Sequence, residues 1–215
     1  MKPRISAVFI EPQGTLRTAL LEAKALLESR RPGEAYTLHP PHCTIIAGDY
    51  GDPAAWLPDL RARVARRPAF TLPVDGWIQF PDDELAGGGH TVAFRAGPTP
   101  ALLQLQADVA EVLAPFSRLA PASHPLIGRE PFATSLRRFG FPFVGPHWIP
   151  HFTIGSPRVA ASDPLLRALT AGPPCHSTPV ADLSVWNVDD EVHERLHELA
   201  LAPRPSGDSP NAPAS

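Results

Sequence analysis

Pro41-His42-Cys43-Thr44-Ile45 and Pro150-His151-Phe152-Thr153-Ile154 are two copies of one local pattern, Pro-His-x-Thr-Ile, far apart in the chain. An imidazole with a pKa near its usual value of about 6.5 accepts or donates a proton at neutral pH. Two of them on opposite sides of a scissile bond divide the work. One takes a proton from an attacking hydroxyl or water, and the other gives one to the leaving oxygen. In a strand, alternate side chains share a face, so His42 projects with Thr44 and His151 with Thr153. Two hydroxyls placed so are suited to the non-bridging oxygens of a phosphate, where they hold developing negative charge. The pattern therefore points to phosphoester chemistry.

Other readings of these residues are weaker. A single His at a strand end followed by a β-favouring Thr is ordinary, but a repeat in a chain with nine His is not. His39 and His147 sit near the two motifs and would allow a metal pair on each side. His39 and His42 have opposite strand parity, however, and no acidic or thiol companion is evident, so no metal is expected. His39 and His147 are instead read as structural or rim residues, with contact to substrate as the alternative. A serine nucleophile lacks its Gly-x-Ser-x-Gly elbow, and no glycine-rich strand-to-helix turn suggests a nucleotide cofactor. No cofactor is expected.

The elements that must position the motifs are legible in part. Ile5 to Ile10 reads as a buried strand, followed by a helix with Leu16, Ala19, Leu20, Ala23 and Leu27 on one face and Gly33 past its end. Tyr36 to Leu38 and His42 to Ala47 read as β runs. A helix from Pro53 buries Trp56, Leu60 and Val64. Phe70 to Phe80 and His90 to Arg95 form two strands around a glycine-rich loop, Pro81 to Gly89. Thr99-Pro100 caps a helix carrying Leu102, Leu105, Val109 and Val112. A strand resumes at Trp148 to Gly155, Ser162-Asp163-Pro164 opens a short helix, and Thr178 to Val188 alternates. Val192, Leu196 and Leu199 have the spacing of a last helix. Such interchange argues for an α/β or α+β fold.

Residues 117 to 148 show little periodicity and read as an irregular surface segment. Within it, Arg137, Arg138, Phe139 and Phe141 are candidates for substrate binding, because Arg forks onto phosphate and phenyl rings stack on bases. If the segment is extended, the two arginines point to opposite faces and at most one reaches a cleft. The alternative is that the phenyl rings enter the core while the arginines are solvated.

The chain of 215 residues, 43% hydrophobic with a formal net charge of -3, can bury a core without a metal or disulfide scaffold. That charge excludes duplex binding by charge alone. Its two Cys match no zinc spacing, the opening apolar run is short for a signal segment, and no stretch has the length of a membrane span. The reading is a cytoplasmic protein with no membrane association. Residues 1–202 are expected to form one bilobal catalytic domain, and the Pro/Ser-rich residues 203–215 a disordered tail.

Through His42-Cys43-Thr44 and His151-Phe152-Thr153 the chain resembles the 2H phosphoesterase superfamily, which includes proteins called 2'-5' RNA ligases and cyclic nucleotide phosphodiesterases. The likeness extends to the Ile5 to Ile10 strand, Gly48-Asp49, the Gly76 to Phe80 and Val92 to Arg95 strands, and Leu183 to Val185. It implies an α+β fold of two pseudo-symmetric lobes, with antiparallel-rich sheets flanking a central cleft. It also implies metal-independent opening of a 2',3'-cyclic phosphate on an RNA end or small nucleotide. His42 and His151 carry over as catalytic residues, and Thr44 and Thr153 as phosphate binders. Cys43, Ile46 and the insertion before His151 depart from the family pattern and bear on substrate choice. A monomer with no obligate protein partner is expected. A 2'-5' linkage nuclease or ligase, a phosphate-binding module without turnover and a structural role are the alternatives.

Overall fold

The computed structural model describes residues 5–118, 124–171, 176–188 and 193–204. Eight strands form one sheet: β1 (Ile5–Ile10), β2 (Cys43–Gly48), β3 (Phe70–Asp83), β4 (Gly89–Ala96), β5 (His151–Gly155), β6 (His176–Val180), β7 (Asp182–Val188) and β8 (His193–Ala200). Five helices accompany it: α1 (Gly14–Arg30), α2 (Pro53–Val64), α3 (Pro100–Leu113), α4 (Phe132–Phe139) and α5 (Pro164–Leu169). The order across the sheet is β6-β3-β4-β5-β2-β1-β7-β8, so the fold is α+β. All strand pairings are antiparallel, and four strands lie on each side of the β2–β5 seam. Cys43 opposite Phe152 is the register pair that joins β2 to β5.

Strand alternation separates the two faces of the sheet. Val8, Ile10, Cys43, Ile45, Val92, Phe94, Phe152, Ile154, Leu183 and Val185 enter the main core. They pack there with Leu16, Leu20 and Leu27 of α1, Trp56, Leu60 and Val64 of α2, and Leu102, Leu105 and Val109 of α3. The opposite face carries His42, Thr44, His151 and Thr153, with a smaller apolar cluster of Ala7, Phe9 and Trp186. α1 comes close to the end of β5 because residue 155 is Gly: a Cβ there would collide with Leu27.

Helix starts follow their capping chemistry. Thr99 Oγ1 accepts from the Leu102 amide, and Asp52 and Asp163 accept from Ala54 and Leu165. Proline opens α2, α3 and α5, where the missing N–H costs nothing. No described helix is long and apolar enough to cross a membrane.

Four expectations from the sequence need correction. Residues 193–200 are strand β8, not a helix: the open edge of β7 recruits their backbone, and tertiary pairing overrides the helical spacing of Leu196 and Leu199. Residues 36–38 are a turn, with Tyr36 at φ 67°, rather than a β run. The loop expected over Pro81 to Gly89 is shorter, because β3 runs to Asp83. The 117–148 segment, expected to be irregular, contains α4, which buries Ala133, Leu136 and Phe139 and stops at Gly140 in the left-handed conformation. Apart from Pro203 and Arg204, the expected tail lies outside the described residues.

Candidate active site

The two motifs meet at the seam. Continued one residue either way from Cys43 opposite Phe152, the antiparallel register sets His42 across from Thr153 and Thr44 across from His151. The four polar side chains thus alternate around one point on the open face, while Cys43 and Phe152 are wholly buried beneath it. Cys43 is an inert thiol there, burial pushing its pKa up to about 12.

Each imidazole is fixed the same way. His42 Nδ1 lies 2.7 Å from the Pro40 carbonyl, and His151 Nδ1 lies 2.6 Å from the Ile149 carbonyl. A carbonyl only accepts, so both Nδ1 atoms carry a proton and donate it, leaving Nε2 as the reactive nitrogen. The proline between each His and its acceptor fixes the backbone that turns this carbonyl toward the ring. His42 and His151 are both half-buried. Thr44 and Thr153 are half-buried too, and neither hydroxyl has a hydrogen-bond partner among the described residues.

The surroundings differ. His42 stacks on Phe9 with ring centroids 3.8 Å apart. Burial holds its pKa down to about 3, aided by His39, Lys24 and His193, against the pull of the Pro40 carbonyl. His151 tilts toward Phe80 at 5.1 Å. Its pKa is also lowered by burial, but the Ile149 carbonyl and the Asp83 carboxylate oppose the shift. Asp83 is held by Thr91, whose hydroxyl donates to it at 2.5 Å, and by the Leu85 amide at 3.0 Å.

Several residues of the site escaped the sequence reading. Lys24 extends the buried stripe Leu16, Leu20, Leu27 of α1. Its amine donates to the carbonyls of Tyr36 at 2.7 Å, Ile154 at 3.0 Å and Thr37 at 3.4 Å, and burial lowers its pKa to about 8. It pins the strained Tyr36 turn to the end of β5. A lone Lys on an apolar stripe was the signal available. His193 lies 4.2 Å from His39, ring to ring, and Asp83 is felt at both Tyr36 and His151. Arg95, opposite His151 in register, shares its face; Gly76 across β3 leaves the guanidinium room, and Asp75 pairs with it at 3.2 Å.

Of the other candidates, His39 is brought to the site and His147 is exposed, edge-on to Phe132 at 6.1 Å. Phe139 belongs to the core and Phe141 packs against it. Arg137 is held by Glu130 at 2.8 Å, and Arg138 by Glu111 at 2.6 Å while lying over the Phe139 ring. On a helix these neighbours are about 100° apart rather than on opposite faces. Second-motif placement rests on other contacts. Trp148 Nε1 donates to the Thr44 carbonyl at 3.1 Å, and Gln106 Nε2 of α3 donates to the carbonyls of Ile45 and Phe143. Among the described residues, no three His, Cys, Asp or Glu converge as metal ligands would.

A family model described as the 2'-5' RNA ligase superfamily matches residues 12–192. No curated protein matches the chain by sequence. Among solved structures, the Thermus thermophilus protein TT0787 is similar with TM-score 0.60 and 20% identity, over 93% of this chain and 98% of that one. E. coli LigT complexed with 3'-AMP is similar with TM-score 0.57 and 15% identity, over 93% and 99%. A structure described only as a phosphoesterase gives TM-score 0.53 and 16% identity, over 94% and 99%. These structural likenesses establish the fold.

Proposed function

The chain belongs to the 2'-5' RNA ligase superfamily, the 2H phosphoesterases, and from that membership and the site's geometry we propose that it opens 2',3'-cyclic phosphodiesters on RNA ends or small nucleotides. The observation that carries this is the matched pair of imidazoles, each with Nδ1 spent on a carbonyl and Nε2 free, across one β2–β5 seam. Residues 1–202 act as one catalytic domain whose two four-stranded halves serve as lobes either side of the cleft.

His42 is the base and His151 the acid. His42 Nε2 takes a proton from water as the water oxygen bonds to phosphorus. The bond from phosphorus to one ribose oxygen breaks, and that oxygen receives the proton of His151 Nε2. The product is a phosphomonoester. Without an anion nearby both rings are neutral, and the approach of an anionic phosphate raises both pKa values. Asp83 favours the proton at His151, while Lys24, His39 and His193 disfavour it at His42. Thr44 and Thr153 donate to the non-bridging oxygens. No step is assigned to a metal.

LigT, crystallised with 3'-AMP, supports the substrate class, because opening of a 2',3'-cyclic phosphate at its 2' bond leaves such a monoester. The family description favours one further reaction at the same phosphorus: with a ribose 5'-hydroxyl in place of water, the same course breaks the bond from phosphorus to the 3' oxygen, which takes the proton of His151, and joins a 2'-5' linkage. The decisive experiment incubates the protein and chelator with 2',3'-cyclic phosphate RNA ends, 2'-5' oligoadenylates and small cyclic nucleotides, and identifies products by mass spectrometry. Conversion of cyclic phosphate to monoester is expected. Retention of ligand without product would make the chain a binding module, and activity restored only by added metal would overturn the mechanism.

A further inference from the structure

His39 and His193 are a second imidazole pair, adjoining His42 but outside the His-x-Thr motifs. They come from unrelated elements: His39 from the turn that Lys24 fastens to β5, and His193 from the first residue of β8. Their ring centroids lie 4.2 Å apart at 50°, and Tyr36 meets His39 edge-on at 5.5 Å. Among the described residues neither ring makes a hydrogen bond, so the pair packs without spending its nitrogens.

The charges around the pair define what it can take. Burial disfavours protonation of both rings, and the charge of Lys24, whose amine holds the turn that carries His39, adds to it. His42, three residues on from His39, feels the charge of both rings, Tyr36 meets His39 edge-on, and Asp83 acts at Tyr36. Further along β8, Arg195 is neutralised by Glu11 and Glu198. The pair thus offers four protonatable nitrogens near a buried cation; among the described residues, Glu194 follows His193 on β8, where strand alternation turns it to the other face, and Asp83 acts at Tyr36. An anion entering there would be met by N–H donors and would draw protons onto the rings, which burial otherwise keeps neutral.

We propose that His39 and His193 form an anion subsite beside His42 that receives the 5'-phosphate of the nucleotide whose cyclic phosphate is opened. This inference rests on the reading of the site as a cyclic phosphodiesterase. It gives the site a preference for an RNA end, whose last nucleotide always carries that phosphate, over a free nucleoside cyclic phosphate. Because binding takes up protons, the preference strengthens as pH falls.

The test compares kcat/KM for adenosine 2',3'-cyclic phosphate with and without a 5'-phosphate, between pH 5.5 and 8. The parent is expected to prefer the 5'-phosphorylated form by about ten-fold or more at the acid end, the size of one charge-assisted hydrogen bond, with the preference shrinking as pH rises. His39→Ala and His193→Ala should each reduce the ratio, and His193→Lys should keep the preference while flattening its pH dependence. Equal use of the two substrates by the parent, or a preference that survives both alanine variants, overturns the subsite. If the parent opens neither substrate, the proposed activity fails and the subsite is judged separately with inorganic pyrophosphate. Imidazole resonances of His39 and His193 that shift on its addition, and raised pKa values, support it. Resonances that stay put overturn it.

Discussion

The two halves of the site share a backbone device and differ in everything around it. In both, Nδ1 is tied to the carbonyl two residues back and Nε2 is presented at the seam. Around His42 stand Phe9 and the basic groups of Lys24, His39 and His193; around His151 stand Phe80 and the carboxylate of Asp83. A repeated motif thus supplies geometry, and unrepeated neighbours supply the electrostatic sign. Burial lowers both pKa values; the neighbours add to that shift at His42 and, through Asp83, oppose it at His151, which is the basis of the proposed division into base and acid. A symmetric pair with equal surroundings would have no reason to choose a direction.

Removing either imidazole should have the largest effect. His42→Ala and His151→Ala are each expected to lower kcat by about 10²- to 10⁴-fold, the usual worth of a proton-transfer group. Circular dichroism and melting curves would verify folding. If one variant keeps parental turnover, the division of labour is wrong. Thr44→Val and Thr153→Val remove hydroxyls that donate to charged oxygens, worth about 1.5 to 3 kcal/mol each, so losses of roughly ten- to a hundred-fold are expected. Valine variants as inactive as the alanine ones would show that the hydroxyls take part in proton transfer.

Asp83→Asn sharpens the comparison further. It removes the charge that favours the proton on His151 while keeping one oxygen for the Leu85 amide; an NH2 replaces the oxygen that accepts from Thr91, whose hydroxyl can accept from it instead. The limb of the kcat profile that reports the acid should move to lower pH, with a loss of a few-fold at neutral pH. An unmoved profile would separate Asp83 from the chemistry.

The low histidine pKa values also link to stability. His39 is held down to about 4 and His42 to about 3, while an unfolded chain protonates them near 6.5. Between those values the unfolded state binds more protons, so stability is full above about pH 6.5 and is lost as pH falls toward 4 and then 3. Denaturant midpoints measured from pH 7 to 4 should fall in the parent and fall less in His39→Gln. Parallel declines would mean that His39 is already protonated in the folded protein.

How far the sequence told this in advance depended on whether the signal was local. Trp56, Leu60 and Val64 on α2 and the Thr99-Pro100 start of α3 follow from periodicity and capping, which a short window contains. The two motifs were legible because each repeats its own pattern. Lys24, His193 and Asp83 were not, because nothing near them in sequence shows that α1, β8 and the end of β3 all act on the two motifs. β8 reads as a helix for a related reason. Glu194, Arg195 and Glu198 suit a helix surface and equally blunt an exposed sheet edge, and only the unpaired side of β7 decides between them.

The smallest expected effect concerns α4, which lies outside the contrast between the two halves. Arg137 and Arg138 are about equally exposed and each is engaged by a carboxylate, Glu130 and Glu111. Exposed pairs of this kind contribute little and are screened by salt. Arg137→Ala and Arg138→Ala should therefore change kcat/KM for a small cyclic nucleotide by less than about two-fold, within the weak range of surface charges. An RNA end long enough to reach α4 would have to compete with Glu111 for Arg138, whose guanidinium is also held over the Phe139 ring. A selective loss with the longer substrate in one variant, abolished at raised ionic strength, would extend the binding surface along α4. Unchanged use of both substrates by both variants would leave the arginines as clasps that hold this short helix between Glu111 of α3 and Glu130.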